Sequence, residues 1–294
     1  MTRGGILTRL VRINNERVLA VDERGEPGGK PVFLLHGTPG SRVGPLPRAS
    51  VIYRLGVRLI TYDRPGYGMS DRRFGRTVAD VAEDVAAVAD ALELDSFAVI
   101  GRSGGAPHAL ACAALLPGRM TRAAALVTLA PPEAEGLDWF RGMSASNVIE
   151  HTTAASGSGP ITALLAPAAA RIRADPTDLV PGLDDDLPEP DRNVVADYGI
   201  RRMLAHNFAE ALRSSTAGWV DDALAFCSPW GFDPRNITVP TLLWHGDADV
   251  FSPVEHSRWL GRRIPGATVV IQKGAAHFGA LQVLPDVLAW VTEA

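Results

Sequence analysis

The stretch Phe97-Ala-Val-Ile-Gly-Arg-Ser-Gly-Gly-Ala-Pro-His-Ala-Leu-Ala-Cys-Ala-Ala-Leu-Leu116 decides how the rest of the chain is read. Residues 97–100 are a short apolar run ended by glycine, the pattern of a buried strand. Residues 103–116 read as a helix so rich in alanine that it can lie close against a sheet. Between them stands Gly101-Arg102-Ser103-Gly104-Gly105, a G-x-S-x-G string. In a very tight strand-to-helix turn, Gly101 and Gly105 supply room where a Cβ would collide, and Ser103 takes a strained backbone position. The hydroxyl is then lifted clear of the sheet, with a helix N-terminus beneath any negative charge that develops. This is the setting of a nucleophile elbow. A glycine-rich turn closed by a capping serine is the other reading of the same five residues.

The same rhythm extends outward. Strand-like runs are expected at 10–13, 18–21, 32–35, 58–62, 97–100, 123–129, 241–244 and 268–271, with a turn at Asn14-Asn15. Val78, Val81, Val85, Val88 and Leu92 recur at helical spacing, leaving Asp80, Glu83, Asp84 and Asp90 off the apolar stripe. Leu284, Val287, Leu288 and Val291 mark a terminal helix. Alternation of this kind predicts an α/β fold, a mostly parallel eight-stranded sheet with helices on both faces. From Pro131 to Ala217 the rhythm changes. Residues 152–160 are rich in Ser, Thr and Gly, Asp184-Asp-Asp186 is acidic between prolines, and 194–212 reads as one long helix. The expected organisation is a first core part over 1–130, an inserted helical cap over 131–217 and a second core part over 218–294.

The chain has 294 residues, 46% hydrophobic and 21% charged, with 29 basic and 33 acidic side chains and a formal charge of -4. That balance lacks the basic footprint of a nucleic-acid binder. No 18-residue apolar run suggests a membrane span, and no long apolar stretch near the start suggests a signal peptide, so a cytoplasmic protein is expected. Cys112 reads as a buried core thiol, and Cys227 lies near Phe226 and Trp230. Nothing in the spacing supports a disulfide or a cysteine metal site.

Seven histidines compete for the role of base. His36 opens a turn and reads as a loop brace, His108 lies in the alanine-rich helix, His151 and His206 lie in the variable middle, His245 ends a strand, and His256 falls in a polar helix. His277, in Gly274-Ala-Ala-His-Phe-Gly279, follows the last strand, where a loop residue can reach the carboxyl edge of the sheet. Its neutral imidazole suits general acid–base work near neutrality. The orienting acid is expected just after the 241–244 strand, in Gly246-Asp-Ala-Asp249. Asp249 is the candidate, and Asp247 is expected to turn the loop through backbone hydrogen bonds. The chain order Ser103, Asp249, His277 fits a nucleophile elbow and differs from both other familiar serine triads. Two backbone N–H groups must meet at an oxyanion site, and the candidates are Thr38 and Gly104. Pro39, which donates no N–H, stiffens the loop.

Together His36-Gly-Thr-Pro-Gly40, Asp63-Arg-Pro-Gly-Tyr-Gly-Met-Ser70, the Ser103 turn, Gly246-Asp-Ala-Asp249 and Gly274-Ala-Ala-His277 resemble the α/β-hydrolase superfamily. More narrowly, they are similar to its capped branch of esterases, proline iminopeptidases and C–C bond hydrolases, over about residues 18–290. The resemblance implies Ser103, Asp249 and His277 as the triad and Thr38 and Gly104 as the oxyanion pair. Thr38 and Gly104 depart from the His-Gly-Gly-Pro-Gly loop and the Trp after the nucleophile usual in proline iminopeptidases. Ser103 departs from the Asp nucleophile of haloalkane dehalogenases and epoxide hydrolases. The expected reaction is hydrolysis of a carboxylic ester of a small to medium, largely apolar molecule through an acyl-enzyme, with no metal or organic cofactor. Amide or C–C cleavage by the same triad, and non-catalytic ligand binding, are the alternatives. Trp139, Phe140, Met203, Phe208, Trp219 and Trp230 are candidates for lining the substrate cavity. A monomer and a homodimer fit the sequence equally.

Overall fold

The computed structural model describes residues 8–13, 16–178 and 187–293. The turn expected at Asn14-Asn15 and the acidic run at 184–186 lie outside the described residues. In chain order the elements begin with β1 (Arg9–Ile13), β2 (Arg17–Gly25), β3 (Lys30–Leu35), α1 (Ala49–Arg54), β4 (Val57–Tyr62), α2 (Val81–Ala91), β5 (Phe97–Arg102), α3 (Gly105–Leu115) and β6 (Met120–Leu126). Then come α4 (Ala145–Ala155), α5 (Ser158–Ala174), α6 (Glu189–Val195), α7 (Tyr198–Ala211) and α8 (Ala217–Phe226). The chain closes with β7 (Thr241–Gly246), α9 (Glu255–Gly261), β8 (Thr268–Gln272), α10 (Gly279–Gln282) and α11 (Leu284–Val291).

The eight strands form one sheet in the order β1-β2-β4-β3-β5-β6-β7-β8. β1 pairs with β2 and β2 with β4 antiparallel, and every other neighbour is parallel. The expected eight-stranded, mostly parallel sheet is therefore present. Alternation along the central strand β5 explains its two-sided burial. Phe97 and Val99 meet Val85, Val88, Ala109 and Ala113 of α2 and α3 on one face. Ala98 and Ile100 point to the other face, shared with Ile52 of α1 and Leu288 and Val291 of α11. Each fully buried aliphatic side chain contributes about 1.5–3 kcal/mol, so these two layers hold the sheet. Cys112 is buried and Cys227 half-buried, and neither is in a disulfide.

Three local expectations need correction. The strand predicted over 123–129 ends at Leu126, because Val127 takes a left-handed φ of 48° and turns the chain away. The single helix predicted over 194–212 is two. Asp197 is a better cap than a helix interior residue, and its side chain accepts the Ile200 N–H at 2.9 Å and starts α7 afresh. Asp84, placed off the apolar stripe, is 1% exposed and paired with Arg17 at 2.8 Å.

Among the described residues, the stretch between β6 and β7 adds helices and no strand to the sheet. Ile161 and Leu165 of α5, Leu204 and Phe208 of α7 and Trp219 of α8 gather with Phe251 and Phe278 from the loops after β7 and β8. Hydrogen bonds tie α4 and α7 to loops at the carboxyl ends of the parallel strands. Asn207 Oδ1 accepts from the Ser41 N–H at 2.9 Å, and Asn147 Nδ2 donates to the Phe251 carbonyl at 2.9 Å.

Candidate active site

Ser103 stands between the last residue of β5 and the first of α3, with a φ of 54°. A non-glycine residue is strained there, and the surroundings hold it in place. Its N–H donates to the Leu126 carbonyl at 2.9 Å, and its own carbonyl accepts from the Ala106 N–H at 2.8 Å. The turn is tight enough that a Cβ on Gly101 would lie 2.1 Å from the Gly105 carbonyl oxygen. A Cβ on Gly105 would lie 2.3 Å from that of Leu35. Glycine at both positions is thus a steric requirement.

His277 comes from the loop after β8 and Asp249 from the loop after β7. The His277 Nε2 is 2.9 Å from the Ser103 Oγ, and its Nδ1 is 2.9 Å from the Asp249 Oδ2. A carboxylate only accepts, so Nδ1 carries the proton and Nε2 accepts from the serine hydroxyl. Asp249 Oδ1 accepts from the N–H groups of Phe251 and Ser252, at 2.8 and 3.1 Å. Burial alone would push this carboxyl up, but His277 and His245 hold it well below the usual carboxylate range. Asp247 stays in its own turn, where Oδ1 accepts from the Gly274 N–H at 2.7 Å.

Sequence reasoning missed two supports of this chain of contacts. His245, in β7, has its Nε2 2.5 Å from the Ser252 carbonyl oxygen and 3.2 Å from Asp249 Oδ2. Both neighbours are acceptors, so Nε2 is the protonated nitrogen, and Nδ1 accepts from the Ser257 hydroxyl at 2.7 Å. Asp191 comes from α6 and is fully buried. Its two oxygens accept from the His277 and Phe278 N–H groups at 3.1 and 2.7 Å. Burial, with the Asp249 carboxylate adding to it, pushes its carboxyl up to about 6 against the pull of His277 and the two amides. No sequence signal marks Asp191, because its importance depends on a loop 86 residues away.

Thr38 lies against Gly104, so closely that a Cβ on Gly104 would lie 2.1 Å from the Thr38 Oγ1. Neither backbone N–H is used in a turn or loop hydrogen bond. The loop carrying Thr38 is pinned from beneath. The Thr38 hydroxyl donates to Asp222 Oδ2 at 2.5 Å, and the same oxygen accepts from Arg64 at 2.5 Å and the Tyr67 hydroxyl at 2.8 Å. Arg76 takes the other oxygen at 2.6 Å. Burial opposes the charge on Asp222, yet Arg64 and Arg76 hold the carboxyl well below its ordinary range. Asp222 sits in the apolar helix α8, an exception to the local pattern that could have flagged it. His36 braces the same loop, its Nδ1 donating to the Gly37 carbonyl at 2.8 Å and its Nε2 accepting from the Arg64 N–H at 3.1 Å.

These residues open onto a cavity of about 170 Å³ lined by Thr38, Ser103, His277 and Arg102, with Asn147, Glu150, Leu204, Phe208, Trp219, Phe251 and Phe278. Phe208 and Trp219, two of the six aromatic and methionine candidates, line it. The other four do not. Trp139 packs edge-on against His151 and His256, and its Nε1 donates to the Ala130 carbonyl. Phe140 is exposed beside it. Trp230 is buried under α2 and α3, and Met203 faces a separate outer depression with Asn193, Asp197 and Leu281. Side-chain size alone cannot distinguish these destinations. The cavity wall is mostly apolar, and a substrate carbonyl carbon seated beside Ser103 would meet a hydroxyl polarised by His277, with two free N–H groups nearby.

Comparison with known proteins agrees with the architecture. A family model described as alpha/beta hydrolase fold matches residues 30–282. A non-heme chloroperoxidase of Streptomyces lividans is 37% identical over 110 residues, a stretch spanning 37% of this chain and 40% of that protein. A putative non-heme chloroperoxidase of Synechocystis is 25% identical over 258 residues and 85% of each chain. Among solved structures, an alpha/beta hydrolase fold protein from Nakamurella multipartita superposes with a TM-score of 0.69 at 25% identity, covering 97% of this chain and 99% of that one.

Proposed function

As this chain belongs to the alpha/beta hydrolase fold family, we propose that it is a serine hydrolase that cleaves a carboxylic ester of a small to medium, largely apolar substrate. The observation that carries the reading is the unbroken contact from Ser103 Oγ through His277 to Asp249, with both steps at 2.9 Å. His277 takes the Ser103 proton as the oxygen attacks the ester carbonyl, and the Asp249 carboxylate stabilises the imidazolium. The Thr38 and Gly104 N–H groups receive the oxyanion. His277 then protonates the departing alcohol, leaving an acyl group on Ser103. A water activated by the same imidazole releases the acid and restores the hydroxyl. We assign the segment 131–217 as a cap that shapes substrate choice. Its Leu204 and Phe208 line the cavity, and its Asp191 holds the loop bearing His277.

The test is labelling with a fluorophosphonate followed by peptide mass spectrometry, alongside turnover of p-nitrophenyl butyrate. One adduct, on Ser103, and loss of turnover in Ser103→Ala are the expected results. Turnover retained by Ser103→Ala would overturn the mechanism.

A further inference from the structure

Arg102, the first of the two variable residues in the G-x-S-x-G string, has a role that the acyl-transfer scheme does not use. It is 8% exposed and lies between two spaces, the cavity it lines with Ser103 and His277 and a small recess it lines with Leu34, Leu46 and Thr61. A Cβ added to Gly37 would lie 3.4 Å from its Nη2, which puts the guanidinium against the loop that carries Thr38. The other buried arginines are all neutralised. Arg64 and Arg76 share Asp222, and Arg42 meets Asp22, Asp63 and Glu210. Arg102 has no carboxylate and no side-chain hydrogen bond among the described residues, and its nitrogens are not sealed from accessible space. Arginine cannot escape burial by shedding its proton, so an unpaired guanidinium in this position is costly until an anion arrives. Burial lowers it only to about 10, so it stays charged at neutral pH.

The remaining ionisable groups of the cavity do not neutralise it. His277 is engaged with Asp249 and Ser103. Glu150 accepts from the Trp219 Nε1 at 3.1 Å, and burial pushes its carboxyl up to about 7. At slightly acid pH Arg102 is therefore the one permanent cation among the residues that line the cavity, and Glu150 is largely protonated.

Building on the serine-hydrolase reading, we propose that Arg102 anchors a carboxylate of the substrate, so that the preferred ester carries a second, ionised acid group. A planar guanidinium suits a planar carboxylate through paired N–H donors. The carboxylate can lie on the acyl side or on the leaving-group side, and paired substrates separate the two at pH 6. On the acyl side, mono-p-nitrophenyl glutarate is compared with p-nitrophenyl pentanoate. On the leaving side, 4-carboxyphenyl butyrate is compared with its methyl ester. In wild type, kcat/KM should favour the anionic member of at least one pair by about 10-fold or more, as expected for a charge-assisted contact. That preference should collapse in Arg102→Met and be kept only in part by Arg102→Lys, which keeps the charge and loses the paired donors. If Arg102→Met does not melt cooperatively, Arg102→Gln takes its place. No anionic preference in either wild-type pair, or a preference that persists in the folded uncharged variant, would overturn the anchor. Titration of glutarate into wild type by calorimetry separates this from failure of the hydrolase reading. If no ester is turned over, that reading fails. Glutarate binding lost in Arg102→Met would then still support the anchor, and absence of binding would overturn it.

Discussion

Replacing Asp191 by Asn should make the protein more stable and less active at the same time. The buried Asp191 carboxyl ionises near 4 in an unfolded chain but is pushed up to about 6 in the fold. At about 1.4 kcal/mol per pH unit, ionising it in place costs the folded state about 3 kcal/mol. Its contribution to stability is therefore intact below about pH 4 and is lost as pH rises through 6. Asparagine is a close stand-in for the protonated acid and has no such dependence. Wild type and Asp191→Asn should melt together near pH 4, and at pH 8 the variant should be more stable by about 3 kcal/mol, or about 5 °C for a chain of this size. Activity should move the other way. The ionised carboxylate accepts from both the His277 and Phe278 N–H groups, whereas an amide accepts from one and points a donor at the other. A displacement of the His277 loop by about 1 Å would lower turnover by about 100-fold. Calorimetric melting at pH 4, 6 and 8, paired with p-nitrophenyl butyrate hydrolysis at pH 8, measures both effects. A variant that melts at or below wild type at pH 8, or one that keeps full activity, would refute this reasoning.

Asp249→Asn should lower kcat by about 10⁴-fold and also lower the melting temperature at neutral pH, because the buried carboxylate that His277 and His245 hold ionised is lost, and Asp247→Asn, whose carboxylate serves Gly274, should stay within about 10-fold of wild type. Gly104→Ala drives a Cβ to 2.1 Å from the Thr38 Oγ1, so the proposed oxyanion pair should open and kcat fall by about 10²- to 10³-fold, read from initial rates on one ester. Phe208→Leu should shift the kcat/KM ratio of octanoate to butyrate esters by about 10-fold, because Phe208 lines the cavity. Met203→Leu, which faces elsewhere, should leave that ratio alone.

Local chemistry made much of this molecule legible from its residues. Buried parallel strands must be short apolar runs, so β3, β5 and β7 stood out. A serine turn this tight needs glycine on both sides, so Gly101 and Gly105 made it one of two readings of that segment, and the close approach of the Gly105 and Leu35 carbonyls decides between them. Errors fell where a local pattern was overruled by one residue's backbone: Val127 with a positive φ, and Asp197 capping a new helix inside an unbroken apolar periodicity.

The succession of strands, the two-sided sheet and the three loops bearing Ser103, Asp249 and His277 follow from the sequence, because each depends on periodicities and turn requirements spanning a few residues. Tertiary structure alone decided which side chains share the cavity and what supports them. Asp191, Asp222 and His245 matter through partners 86, 184 and 4 residues distant, joined only when the chain is folded. Phe208 and Trp219 line the cavity, while Trp230 and Met203, alike in composition, face a core and an outer depression. Burial and pairing are properties of the assembled chain. An arginine is an ordinary surface cation in sequence, and becomes a candidate anchor only once the fold encloses it without a partner.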